Sequence, residues 1–250
     1  MLRSIESFKG YMIGAKDDEL GKVNDFLFDD ISWAIRYLLA DTGTWLPGRK
    51  VLIAVSALSQ PDWQGRTLPV DLTREQVKNS PDIDTDKPVS RQHEIELHQY
   101  YNWAPYWAGG YEAVAMPAPP PEEPEAEGTK QEVKGDPDLR SAREVTGYHI
   151  HATDGEIGHI EDFIISDENW IIRYLVVDTR DWLPGRRVLI SPQWVTEISW
   201  DKSQVHVDIT RRAVKESPDY NPTEPVNREY ETRLYDYYGR PKYWLGSVRL

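Results

Sequence analysis

The chain has 250 residues, 39% of them hydrophobic, no cysteine and a formal net charge of −13. Without thiols there are no disulfides, thiolate metal ligands or cysteine nucleophiles, and an acidic balance without clustered Lys and Arg argues against a nucleic-acid partner. No run approaches the roughly eighteen apolar residues a membrane helix needs, and residues 1–10 lack the apolar core of a secretion signal, so a cytoplasmic protein without membrane insertion is expected.

Read in order, the chain repeats itself. Sliding it by 137 positions aligns Leu2 with Leu139 through Trp107 with Trp244 without a gap, and 47 of the 106 positions are identical. A period this long marks duplicated domains, not a solenoid. Each copy opens on Gly-Tyr (Gly10-Tyr11, Gly147-Tyr148) and reaches an Asp/Gly turn, Lys16 to Gly21 or Thr153 to Gly158. Such residues supply the local side-chain bonds and positive φ of a hairpin. The next segment, Lys22 to Asp29 or His159 to Ser166, alternates apolar and polar residues and predicts a half-buried strand. Ile35 to Ala40 and Ile172 to Val177 are almost continuously apolar, as in a strand covered on both faces, interrupted only by Arg36 and Arg173.

A Trp-Leu-Pro-Gly-Arg turn follows, Trp45 to Arg49 or Trp182 to Arg186, and then a strand at Val51 to Ala54 or Val188 to Ser191. With short β segments around Leu58 and Val70, or Val195 and Val207, each copy holds about six strands, which points to a small closed or nearly closed barrel. Thr73 and Thr210 are suited to cap a short helix that Ser80-Pro81 and Ser217-Pro218 stop. A second helix, capped by Ser90 or Asn227, ends in an aromatic tail, Tyr100 to Trp107 or Tyr237 to Trp244. Between the copies, Pro117 to Asp138 is rich in proline and glutamate and reads as a linker. The expected fold is mainly β: two tandem small β-barrels with short C-terminal helices, at residues 1–110 and 139–250, joined by a linker at 111–138.

The order of these features, with IRYLLADTGTWLPGRKVLI (35–53) and LTREQVKNSPDIDTDKPVSRQHE (72–94), resembles the PRC-barrel domain family over nearly everything outside the linker. That family includes the cytoplasmic domain of the photosynthetic reaction centre H subunit and a ribosome maturation factor, and the extended tails are similar to stand-alone bacterial members. The resemblance implies a small β-barrel that binds other proteins and shares no catalytic residues. Neither the H subunit's membrane helix nor the ribosome factor's accompanying domain has a counterpart in this sequence, so neither role carries over.

Arg36 and Asp41, with Arg173 and Asp178, flank the central strands and read as a structural charged pair in each copy, because a charge on a buried strand is costly unless paired. Trp45, Leu46 and Arg49, with Trp182, Leu183 and Arg186, put hot-spot residue types on a stiff turn and are the interaction candidates, unless the Trp folds back to plug the barrel mouth. His149, His151 and His159 form a weak candidate metal face whose counterparts Met12, Gly14 and Lys22 cannot ligate. Asp82 to Asp86 mimics a calcium loop and fails at Lys87 and His93. The aromatic tails must cover something, either their own barrel, the other copy or a second chain. The expected function is a non-enzymatic adaptor without a cofactor, contacting protein partners and pairing its own barrels or a second copy. The alternative is a small-ligand or metal-binding stress-related protein.

Overall fold

The computed structural model describes residues 1–43, 45–47, 49–81, 89, 91–108, 139–180 and 185–245. The first half forms β1 (Leu2–Ser4), β2 (Met12–Gly14), β3 (Glu19–Asp29), β4 (Ile35–Asp41), β5 (Lys50–Ala54) and β6 (Thr67–Pro69), then helices α1 (Arg74–Lys78) and α2 (Arg91–Tyr101). The second half repeats this order with β7 (Leu139–Ser141), the one-turn α3 (Ala142–Val145), β8 (His149–Ala152), β9 (Gly155–Ser166), β10 (Ile171–Asp178), β11 (Arg187–Ile190), β12 (Val195–Ser199), β13 (Gln204–Val207), α4 (Arg211–Glu216) and α5 (Arg228–Tyr238).

The Asp/Gly turns work by steric permission. Gly21 and Gly158 have φ of +138° and +135°, and a Cβ there would lie 2.0 Å from the Asp41 carbonyl oxygen or 1.9 Å from that of Asp178. Only glycine lets the start of β3 or β9 press so closely on the end of β4 or β10. Caps also form as the residue types require: the Thr73 hydroxyl accepts from the Gln76 N–H in a capping box, Thr210 accepts from Ala213, and Asn227 from Tyr230. The expected cap Ser90 lies outside the described residues.

The expectation of closed barrels is corrected by the strand pairing, which gives two open sheets. One runs β5-β4-β3-β2-β6 and the other β11-β10-β9-β8-β13-β12. The reason lies in strand length. β3 has 11 residues and β2 only three, so β2 covers the start of one β3 edge and leaves its end bare. That bare edge is filled from the other half: β7 pairs antiparallel with β3, Leu139 opposite Asp29, and β1 pairs with β9, Leu2 opposite Ser166. The halves therefore trade their first strands.

The trade is locked by side chains that come in equivalent pairs. The Ser4 hydroxyl donates to Asp162 and the Ser141 hydroxyl to Asp25, while Arg3 faces Asp167 at 3.6 Å and Arg140 faces Asp30 at 2.9 Å. The Ile35 N–H donates to the Trp170 carbonyl (2.7 Å) and the Ile172 N–H to the Trp33 carbonyl (2.8 Å). Phe8 and Phe26 of the first half pack within 6 Å of the Trp170 ring of the second. Buried side chains of both halves accordingly join in one apolar cluster, and a smaller cluster around Tyr37, Leu52 and Leu97 lies under α2. Among the described residues no helix is long and apolar enough to cross a membrane.

Candidate functional site

Alternation along β4 and β10 turns Tyr37 and Tyr174 toward the helices, where both are fully buried. Their hydroxyls donate to carboxylates on α2 and α5: Tyr37 to Glu94 and Tyr174 to Glu231, each at 2.8 Å. A second tyrosine from the tail donates to the same oxygen, Tyr106 to Glu94 at 2.6 Å and Tyr243 to Glu231 at 2.7 Å. Arg91 or Arg228, one helical turn earlier, lies 2.9 Å from the other carboxylate oxygen. Glu94 and Glu231 are 0% and 2% exposed, so each buried charge is met by two phenols and a guanidinium. In the first half His98 joins the cluster. With the Tyr37 proton given to Glu94, the Tyr37 oxygen accepts from the imidazole Nε2, 2.9 Å away. Tyr235 stands at the equivalent place in the second half.

Burial, reinforced by the neighbouring carboxylate, pushes the phenols up: Tyr37 and Tyr106 above their ordinary range, and Tyr243 to about 12. Burial lowers the imidazole of His98 below its usual value. Phenols held this firmly in the protonated form serve as donors to a carboxylate and not as acids or nucleophiles, so the clusters fasten helix and tail to sheet. The sequence reading did not single out these carboxylates. A signal was available: Tyr37/Tyr174, Arg91/Arg228, Glu94/Glu231 and Tyr106/Tyr243 are all identical across the offset.

The expected Arg36–Asp41 and Arg173–Asp178 pairs do not form. Five residues of extended strand separate their members by about 17 Å. Arg36 instead reaches Asp29 (3.5 Å) and the Ser32 hydroxyl (3.1 Å), and lies over the Tyr106 ring. Asp41 is exposed and accepts from the Gly43 N–H. Arg173 lies over the Tyr243 ring at 4.3 Å, and Asp178, 1% exposed, takes the Arg180 N–H and guanidinium.

The turn residues are largely turned inward. Trp45 is half-buried: its Nε1 donates to the Leu20 carbonyl at 2.7 Å, and Arg74 covers its ring at 4.4 Å. The Leu46 carbonyl accepts from the Thr42 hydroxyl. Arg49 donates to the Lys78 and Ser80 carbonyls at the end of α1, and Arg186 to those of Lys215 and Ser217 at the end of α4. Both arginines thus satisfy carbonyls that a helix terminus leaves open and place a cation at its negative end. Trp182 and Leu183 lie outside the described residues, as do Asp82 to Asp86 of the calcium-like loop and the linker from 111 to 138.

His149 faces His159 across the β8–β9 pair and its Nδ1 lies 2.7 Å from Glu156, while His151 stacks on His206 at 5.3 Å. The three candidate ligands His149, His151 and His159 are not gathered about one point: no group of three or more ligating side chains could hold a metal among the described residues.

Among the described residues, two of the grooves lie beside candidate residues. One of about 450 Å³ is lined by Met12, Lys22, Asp41, Trp45 and Arg74 in the first half. The other, of about 510 Å³, lies where the Asp30–Trp33 loop of the first half meets β10, β12 and the tail of the second. Ile31 in that loop is 75% exposed.

Residues 137–214 match the family model described as PRC-barrel domain. The match lies wholly beyond the first half. No curated protein matches the chain.

Proposed function

We propose that this chain, with a PRC-barrel domain at 137–214, is a tandem of two such units that works as a non-enzymatic assembly module in the cytoplasm, docking protein partners. The tandem reading is supported by the identity of 47 in 106 positions between the halves and by their common order of strands and helices. The observation that carries the assembly reading is the reciprocal strand trade, in which each unit makes a β-pairing contact by giving a strand and accepting one. The buried carboxylates Glu94 and Glu231 are meanwhile engaged in fastening helices to sheets.

The docking surface in this reading is the groove beside Trp45, where a half-buried indole is rimmed by Lys22, Asp41 and Arg74. An aromatic anchor inside a charged rim is the usual composition of a binding hot spot. Lys22→Glu combined with Asp41→Lys reverses the rim and leaves the Trp45–Leu20 bond in place. Affinity capture from native lysate with the wild type and the folded double variant tests the surface. Loss of the same recovered proteins is expected, and undiminished recovery removes the groove from the account.

A further inference from the structure

We propose that the groove beside Arg173 binds a small organic monocarboxylate with an apolar body. Arg36 and Arg173 hold equivalent positions on β4 and β10, and each guanidinium lies over a tail tyrosine, Tyr106 at 4.1 Å and Tyr243 at 4.3 Å. Among the described residues, Arg36 has a counter-charge from its own half and Arg173 has none. Arg36 meets the Asp29 carboxylate and the Ser32 hydroxyl, whereas the positions equivalent to Asp29 and Ser32 are Ser166 and Asn169. The Nε atoms of Arg36 and Arg173 are both buried with no acceptor among the described residues, so the difference between them is the carboxylate and hydroxyl that Arg36 alone receives at its terminal nitrogens. A partly desolvated guanidinium without a carboxylate is costly, and an incoming carboxylate satisfies it through two parallel N–H···O bonds. The first half thus shows, with its own Asp29, what the second half takes from outside.

The surroundings narrow the ligand. Arg173 shares a groove of about 510 Å³ with Ile171, Pro192, Val195 and Tyr235, and Ile31 and Trp33 close it from the other half. That volume suits a small molecule, and Ile31, Ile171, Pro192 and Val195 offer an apolar patch for its body within a lining that also presents Ser32, Ser191, Gln193 and Thr196. Asp30 and Glu197 also line the groove, and Asp30 already holds Arg140 at 2.9 Å. With Asp30 neutralised by Arg140, the remaining charge of Glu197 on the groove wall disfavours a multiply charged anion such as phosphate more than a monoanion. The site goes beyond the assembly reading and uses different residues from the Trp45 groove, so either can fail while the other stands.

Benzoate is the probe, titrated into the full-length protein and followed by ligand-observed NMR, with acetate and inorganic phosphate as comparators. Saturable benzoate binding is expected, weaker for acetate, which lacks the ring, and weaker still for phosphate. Arg173→Met, shown to be folded by its thermal melt, weakens benzoate about tenfold or more through loss of a charge-assisted bond. Ser166→Asp restores in the second half the carboxylate that Asp29 provides in the first and competes the probe away, while Arg36→Met leaves binding unchanged. Absence of saturable benzoate binding to the wild type, or equal affinity in Arg173→Met, overturns the proposal. Phosphate binding as tightly as benzoate overturns its choice of ligand.

Discussion

The two halves agree in the carboxylate clusters under their helices and differ along the hairpins β2–β3 and β8–β9. Tyr–Glu–Tyr clusters with their arginine stand in both, at nearly equal distances, and so do the arginines that close α1 and α4. The β8–β9 hairpin, by contrast, carries His149, His151 and His159 where the first half has Met12, Gly14 and Lys22. A buried carboxylate tolerates little change because every donor around it must be replaced together; a surface position has water as its alternative partner.

The comparison can be broken at its strongest point. Glu231→Ala leaves the Tyr174 and Tyr243 hydroxyls without their acceptor, and Glu94→Ala does the same to Tyr37 and Tyr106. Each is expected to cost about 3 kcal/mol in urea unfolding, from two buried donors left unpaired. Equal losses in both halves sustain the equivalence, and a loss below about 1 kcal/mol in either denies that its cluster fastens the helix. A smaller effect belongs to the helix ends: Arg49→Met and Arg186→Met each remove bonds to terminal carbonyls and should cost about 1 kcal/mol by the same measurement.

The smallest effect sharpens a difference inside the clusters, His98 against Tyr235. Burial lowers the pKa of His98 from its ordinary 6.5, so the unfolded chain binds more protons than the folded one once the pH drops below that value. The imidazole therefore contributes a loss of stability as the pH falls from about 6.5 toward its folded pKa, among Tyr37, Glu94, Arg91 and Tyr106. His98→Tyr, which copies Tyr235, should flatten that part of the profile. Thermal melts of both proteins at pH 7.5 and 5.5 check it, and an unchanged slope in the variant excludes His98 as its source.

Much of the fold was legible because it rests on local rules. Alternation marked β3 and β9, the continuous apolar runs marked β4 and β10, and Thr73 and Thr210 announced their helices through the capping positions. Sheet closure was misread because strand length, and not strand number, decides which edges stay bare, and three-residue β2 beside eleven-residue β3 carries no local signature of its distant partner β7. The arginine pairing was misread for a related reason: proximity along a strand was taken for proximity in space, whereas Asp29 reaches Arg36 across the β3–β4 turn. Glu94 escaped notice because a carboxylate becomes a buried anchor only through donors supplied by β4 and the tail.

The central claim is that traded strands, and not the chain connecting them, hold the halves together. A protease site inserted between Pro117 and Asp138 tests it when the cleaved protein is run by size-exclusion chromatography at micromolar concentration. Co-elution of the two fragments as one 1:1 species at the uncut position is the predicted result. Separation into two fragments that each remain folded contradicts it.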